Sequence, residues 1–520
     1  MAAESTIQPR EYQRRIAESA AQMNTLVVLP TGLGKTMIAM LVAKVRLEKF
    51  PKGKVVVLAP TKPLVLQHHE AFRRMLQLSE GEATVLTGET NPEERSYQWR
   101  RCRFIFATPQ TVRNDLRGRR VELNDTVLLV FDEAHRSVKD YSYTELAALY
   151  KEQGWTPLIL GLTASPGGSR EKVAEIKNNL FIEKVEARSE DDEDVRPYVE
   201  QTKLEGVKVP LPKEYSTLVN GLRDIYNEKV TRLVKGGFIP KNRLSKTILL
   251  QARGSIVSRL NSVHSSGGNK GYIFSALISQ AQAIIILHAI ELLETQGLAV
   301  LEKYLVRLRE KPEQGKSAQA LLNDPRWSII EMEAARLRSV PYPKLEKLAE
   351  IVGEQISKKQ DSRVIVFTQY RDTIETIKER LAERGITSTR FVGQANKADS
   401  EGMDQKTQTM ILERFRDGAF NVLVSSSIGE EGLHVPDVDL VVFYEAVPSE
   451  IRSIQRKGRT GRTRPGKVII LLTEGTVDEA YYYSSLKRER LMKSLVSSPG
   501  NIADRRPEKR TKPSTLLDFM

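Results

Sequence analysis

A single cysteine, Cys102, stands in this chain of 520 residues, which excludes an internal disulfide and any cysteine-based zinc site. That scarcity leads us to expect a reducing, intracellular setting, cytoplasmic and nucleoid-associated in a prokaryote. Long apolar runs are missing too. The greasiest stretch, Ala281 to Ala289, is soon followed by Glu291 and Glu294, so no uninterrupted span is expected to cross a bilayer. Met1 to Arg10 lacks the apolar centre of a secretory signal. Acids are short as well: 66 against 80 lysines and arginines, a formal charge of +14. That excess admits a polyanionic partner and equally a solubilising surface. Its distribution is uneven, with Asp191 to Asp194 acidic and Lys487 to Lys512 densely basic. The length exceeds what one core holds, so two or three domains are expected.

What is present begins with Leu29-Pro30-Thr31-Gly32-Leu33-Gly34-Lys35-Thr36. Apolar residues from Leu26 precede it, and Ile38, Leu41, Val42 and Val45 follow at helical spacing. A strand, a glycine loop and a helix start in that order present backbone N–H groups to an anion. Gly32 and Gly34 permit close approach, Lys35 can reach the outer phosphates, and the Thr36 hydroxyl can hold Mg²⁺. Leu29 occupies the position of the usual first glycine, so an ordinary strand-to-helix turn ending in Lys-Thr is the competing reading. Upstream, Gln13 can pair with adenine through donor and acceptor together, which suits ATP over GTP. An ordinary surface glutamine is the alternative there.

Further apolar strands are predicted at Val55–Ala59, Thr84–Leu86, Phe104–Ala107, Val127–Phe131 and Leu158–Leu162, with helices between most of them. Such alternation predicts a mainly parallel sheet with its site at the carboxyl ends of the strands. Those ends carry Pro60-Thr61-Lys62-Pro63, Thr87-Gly88, Thr108-Pro109, Asp132-Glu133-Ala134-His135 and Thr163-Ala164-Ser165-Pro166. Asp132 can hold Mg²⁺, and Glu133 can orient and deprotonate an attacking water. His135 can contact phosphate, link to the Thr163 segment, or pack. In order and placement this set resembles a superfamily 2 helicase.

From Glu200 to Val340 the texture changes to helical patterns, with Ala281 to Arg309 read as one or two helices broken near Gly297. Lys235, Lys241, Arg243, Lys246 and Arg253, near Phe238, Tyr272 and Phe274, fit a solvated bundle face and a nucleic-acid grip equally. A second α/β unit follows Pro341, with strands at Val364–Phe367, Thr389–Val392, Val422–Val424, Leu440–Phe443 and Val468–Leu472 and no second phosphate loop. It carries Gly429 to Pro436 and Gln455-Arg456-Lys457-Gly458-Arg459-Thr460-Gly461-Arg462. Arg459 and Arg462, three apart, can face one anion. Beside the helicase motifs they are candidate arginine fingers, whereas Arg456 and Lys457 fit a basic nucleic-acid patch.

The fold class expected is therefore α/β: two RecA-like parallel-sheet lobes, 1–195 and 341–495, an inserted helical domain, 196–340, and a basic tail, 496–520. Within superfamily 2 the chain resembles the archaeal Hef and eukaryotic FANCM group. The resemblance rests on Leu29–Thr36, Ala59–Leu64, Phe131–Arg136, Leu162–Gly167 and Val447–Gln455. It implies a thumb-like helical insert gripping branched DNA, with RIG-I-like RNA-activated ATPases similar in layout. It implies ATP and Mg²⁺ as cofactors, catalytic roles for Asp132, Glu133, Lys35, Gln455, Arg459 and Arg462, and ATP contacts from Gln13, Thr31, Gly32, Gly34, Thr36 and Gly432. Nucleic-acid contacts are implied for Thr61, Lys62, Gly88, Thr108, Thr368, Gly393 and Ser426. Two departures stand out. His434 occupies a position where the family usually carries an aspartate near the ATP ribose, which admits a non-hydrolysing, ATP-gated clamp as another reading. The chain also ends at Met520 without an XPF-like nuclease, so no nuclease activity is expected. Leu516, Phe519 and Met520 have the spacing of a sliding-clamp-binding peptide, with a frayed terminus as the alternative.

Overall fold

Strands that are apolar at every position need cover on both faces, and helices supply it here. The computed structural model describes residues 8–30, 32–167, 169–190, 192–198, 203–241, 245–266, 271–310, 315–393, 402–426, 438–446 and 467–496. The first unit runs α1 (Glu11–Ala20), β1 (Thr25–Val28), α2 (Lys35–Lys49), β2 (Lys54–Leu58), α3 (Lys62–Leu76), β3 (Ala83–Leu86) and α4 (Pro92–Arg101). It continues with β4 (Phe104–Ala107), α5 (Pro109–Arg117), β5 (Thr126–Phe131), α6 (Ser142–Gln153), β6 (Ile159–Thr163), α7 (Arg170–Asn179) and β7 (Lys184–Ala187). Its strands form a parallel sheet in the order β3-β4-β2-β5-β6-β1-β7.

Alternate residues along each strand point to opposite faces, and the two faces feed separate cores. Val27, Val55, Val57, Phe104, Phe106, Leu128 and Val130 pack under α1, α2 and α3. Leu26, Val56, Leu58, Ile105, Leu129 and Phe131 pack under the helices of the other face, with Trp99, Tyr143 and Tyr150. Burying a single such side chain is worth about 1.5–3 kcal/mol, which makes these faces the main stabilising element of the unit.

The chain then forms β8 (Lys203–Val209) and the helices α8 (Lys213–Lys235), α9 (Lys246–Ser266), α10 (Gly271–Thr295), α11 (Leu298–Glu310), α12 (Gly315–Leu322) and α13 (Pro325–Arg336). The second unit follows with α14 (Pro343–Lys358), β9 (Val364–Phe367), α15 (Arg371–Glu383), β10 (Ser388–Phe391), α16 (Gln405–Asp417), β11 (Val422–Ser425), β12 (Leu440–Phe443), β13 (Lys467–Thr473) and α17 (Val477–Val496). Its sheet has the order β10-β11-β9-β12-β13-β8.

Three features differ from the sequence expectation. First, β8 falls inside the stretch drawn as helical, yet pairs in parallel with β13 from Lys203 opposite Lys467 to Val209 opposite Thr473. Its partner lies far along the chain, so no local pattern announces the pairing. Second, β7, a polar Lys-Val-Glu-Ala segment, closes the first sheet beside β1. An edge strand of this kind needs no continuous apolar run. Third, α10 is long and apolar enough to cross a membrane by length and composition alone, although half of its most apolar window is buried inside the protein. It packs between α8 and α9 and buries Gln280, Gln282, Glu291 and Glu294, as a core helix does. The break expected near Gly297 is present between α10 and α11: Gly297 has φ +95°, and a Cβ there would come within 2.8 Å of the Tyr342 ring.

The helical region contributes to two cores. Residues such as Leu222, Ile286, Leu301 and Trp327 share one continuous core with the second sheet, whereas Val230, Leu233, Leu249, Ile256 and Ile273 form a separate core farther out.

Candidate nucleotide site and nucleic-acid rim

Strand order sorts the motif residues. Because the first sheet is parallel, every motif after a strand emerges on one rim. The phosphate loop follows β1, Thr163 ends β6, and Asp132 follows β5, and these three strands are neighbours. Thr61 and Lys62 follow β2, Thr108 follows β4 and Gly88 follows β3, the other three neighbours. One half of the rim thus carries the residues expected to serve phosphate and the other those expected to touch nucleic acid.

The loop is anchored where Leu29 N–H donates to the Thr163 carbonyl at 3.0 Å. Gly32 and Gly34 have φ of +92° and +79°, a region that residues with a Cβ avoid. A Cβ on Gly34 would lie 2.4 Å from Gln13 Nε2. Lys35 begins α2, and its ammonium donates to the Leu29 carbonyl at 3.0 Å, lying across its own loop. Thr36 follows in the first turn of α2. Gln13 is buried: its Oε1 accepts from Arg10 N–H at 2.9 Å and its Nε2 donates to the Leu33 carbonyl at 3.1 Å. Its amide therefore braces the loop, together with the Tyr12 hydroxyl, which donates to the same carbonyl at 2.7 Å.

Across the rim, Asp132 is 6 % exposed. Burial works to raise its carboxyl, and it is outweighed by His68, by the Lys35 charge and by the Glu133 N–H, which together hold the group below the usual carboxylate range. Glu133 sits in the left-handed region with φ +50°, a backbone state that non-glycine residues hold at a cost of about 1–3 kcal/mol and that clusters at functional sites. Its Oε2 is buried, lies 3.2 Å from His135 Nδ1, and makes no hydrogen bond among the described residues. His135 Nδ1 is also 3.2 Å from Thr163 Oγ1, so the expected link to the Thr163 segment is formed. Thr163 Oγ1 in turn donates to the Ser165 carbonyl at 2.9 Å.

These residues fit a nucleotide phosphate and its cation. The glycine cradle would be filled by a side chain, Asp132 is kept ionised, and Glu133 presents a buried carboxylate oxygen with unspent acceptor capacity.

On the other half of the rim, Thr61 Oγ1 is buried without a hydrogen bond among the described residues, Lys62 pairs with Glu89, and Thr108 Oγ1 bonds Thr111 Oγ1 at 2.8 Å. Gly88 faces open space. In the second unit, Thr368, Gly393 and Ser426 follow β9, β10 and β11, three adjacent strands. Thr368 is fully buried, and its hydroxyl accepts from Tyr370 N–H at 3.4 Å; Ser426 is 5 % exposed. In this arrangement both hydroxyls face the protein interior. The Gly393 carbonyl accepts from Met403 N–H at 3.0 Å. Thr31, Gly432, His434, Gln455, Arg459, Arg462, Leu516, Phe519 and Met520 lie outside the described residues. His68 is the site residue that sequence reasoning missed, because a histidine midway along an amphipathic helix carries no motif.

Three families match the chain in succession: DEAD/DEAH box helicase over residues 10–173, ATP-dependent RNA helicase helical bundle over 214–336, and helicase conserved C-terminal domain over 343–464. The crystal structure of the Pyrococcus furiosus Hef helicase domain is 48% identical, covers 92% of this chain and 98% of its own, and superposes with a TM-score of 0.70. A Methanocaldococcus jannaschii protein named as an ATP-dependent RNA helicase is 40% identical over 95% of this chain and 61% of its own length. The ATP-dependent DNA helicase MPH1 of Coccidioides immitis is 35% identical over 94% of this chain and 46% of its own. The chain thus spans under two thirds of these curated relatives. None of the comparisons supports a sliding-clamp partner. On the 48% identity to a fully covered helicase domain, with both helicase families in order, the chain belongs to the superfamily 2 helicases of the Hef and FANCM group.

Proposed function

We propose that this chain is an ATP-driven DNA helicase or translocase that acts on branched DNA, such as forks and four-way junctions, in repair or fork restart in the cytoplasm. The supporting observation is the split rim of the first sheet, where residues suited to phosphate chemistry adjoin residues suited to a nucleic-acid backbone. Lys35 and the N–H groups of the loop would hold the outer phosphates. Thr36 and Asp132 would hold Mg²⁺, which when bound neutralises phosphate charge. Glu133 would take the proton of the attacking water. Arg459 and Arg462, with Gln455, would close onto the same phosphates from the second unit, and a finger of this kind contributes about 10³–10⁵ in rate. Closure would change the spacing between the two nucleic-acid rims and so advance the grip.

The test is ATPase rate with no nucleic acid, with fork DNA, with plain DNA duplex and with RNA duplex. Fork DNA is expected to stimulate most, with binding that weakens steeply as salt rises; no stimulation by any fork DNA overturns the reading. A second reading, an RNA-activated ATPase, is favoured by names alone: the helical-bundle family and the M. jannaschii relative are both called RNA helicases. Stimulation that requires 2′-hydroxyls would select it.

A further inference from the structure

We infer that His68 is a positioning residue for the cation-holding carboxylate: by taking Asp132 Oδ2 it fixes the orientation in which the remaining oxygen meets Mg²⁺. This rests on the assignment of Asp132 to the cation made above. His68 Nε2 lies 2.8 Å from Asp132 Oδ2, and both side chains are buried. An ionised carboxylate only accepts, so Nε2 is the donor. Among the described residues His68 Nδ1 is buried and makes no hydrogen bond, so the directional tie the ring shows there is Asp132.

The backbone of Asp132 is fixed separately. Its N–H donates to the Leu58 carbonyl at 2.9 Å, and its carbonyl accepts from the Tyr143 hydroxyl at 2.7 Å. What those bonds leave free is rotation of the carboxylate; the Glu133 N–H reaches it from the backbone, and His68 is the side chain that holds its Oδ2. The histidine is itself held firmly. It lies on α3, whose neighbouring residues His69 and Phe72 pack edge-on against Phe104 and Phe106 of the sheet. Ligating carboxylates are commonly oriented by such partners, and removing one costs roughly 10–100-fold in metal affinity or activity.

The test reads metal dependence of binding rather than turnover. Affinity for a fluorescent ADP is measured in EDTA and across a Mg²⁺ titration for the unaltered chain, His68→Leu, His68→Gln and Asp132→Asn. His68→Leu is expected to raise the Mg²⁺ concentration at the midpoint by about 10–100-fold while leaving metal-free affinity within about twofold. His68→Gln, which keeps an N–H donor at similar reach, is expected to restore the midpoint. If the leucine variant fails to fold, His68→Asn, whose amide is too short to reach Oδ2, is expected to shift the midpoint in its place. An unshifted midpoint in His68→Leu or His68→Asn, with Asp132→Asn shifted, overturns the inference and leaves the assignment of Asp132 standing. An unshifted midpoint in Asp132→Asn overturns that assignment itself.

Discussion

Glu133 and Gly34 show how single residues set the chemistry of the rim. Glu133 is held at φ +50° with a buried, unbonded oxygen, two costs that a purely structural glutamate would not carry. Glu133→Gln keeps the shape and removes the base. It is expected to bind ATP and fork DNA normally while its ATPase rate falls about 10²–10⁴-fold, read by calorimetry and steady-state hydrolysis; near-normal hydrolysis would refute the water-activating role. Gly34 is constrained by its left-handed φ and by Gln13, whose amide is itself held at both ends. Gly34→Ala is expected to cost about 1–2 kcal/mol of stability and to weaken ATP binding by displacing Gln13. Thermal melting and calorimetry check this. Most of these positions were legible in sequence, because glycine spacing and an acidic pair after an apolar strand are local signals. His68 was not, since its role depends on which strand end lies beside α3.

At the scale of elements, the second unit is tied together by buried charge. Lys344 of α14 and Asp478 of α17 form an ion pair with side chains 0% and 1% exposed. Lys344 also donates to the Thr295 carbonyl at 3.1 Å, at the end of α10. Asp478 accepts from Ala446 N–H at 2.9 Å and Thr473 N–H at 3.2 Å, at the ends of β12 and β13. Removing one partner strands the other, so Lys344→Met is expected to lower stability by about 3–5 kcal/mol in denaturant melts. On α10, Glu294 behaves differently from its neighbour. Burial raises its carboxyl more than Arg223 and the Val477 backbone lower it, whereas Glu291 is held below its ordinary value because His288 and Lys246 outweigh its burial. A raised carboxyl contributes stability that is present below the unfolded value and lost as pH rises through the folded one. Glu294→Gln should therefore gain stability relative to the unaltered chain between pH 4 and pH 8. Urea midpoints at the two values decide it, and a relative loss at the higher pH would contradict the sign.

For the whole molecule, the decisive feature is that β8 leaves the first unit and completes the second sheet before the helical region begins. Elements of that region then share a core with the same sheet. A fragment beginning at Pro341 would lack both, leaving β13 as an exposed edge, the kind of strand that recruits other chains. Such a fragment is expected to aggregate, and a peptide spanning residues 203–211 supplied in trans is expected to raise its unfolding midpoint. Soluble, cooperative unfolding of the fragment alone would show that β8 is dispensable.

The sequence by itself determined the types of most elements, though not β7 and β8, the parallel-sheet class, the break at Gly297 and the residues that end the strands it predicted. These follow from side-chain periodicity and local backbone freedom, which act over a few residues. Only the tertiary structure decided the order of the strands, and with it the grouping of the phosphate loop, Asp132 and Thr163 on one half of the rim and of Thr61, Gly88 and Thr108 on the other, the capture of β8, and the contact of His68 with Asp132. Strand order is a property of packing between segments distant in the chain. A local pattern can place a residue at a strand end, but which other strand end lies beside it depends on how all the buried faces are satisfied together.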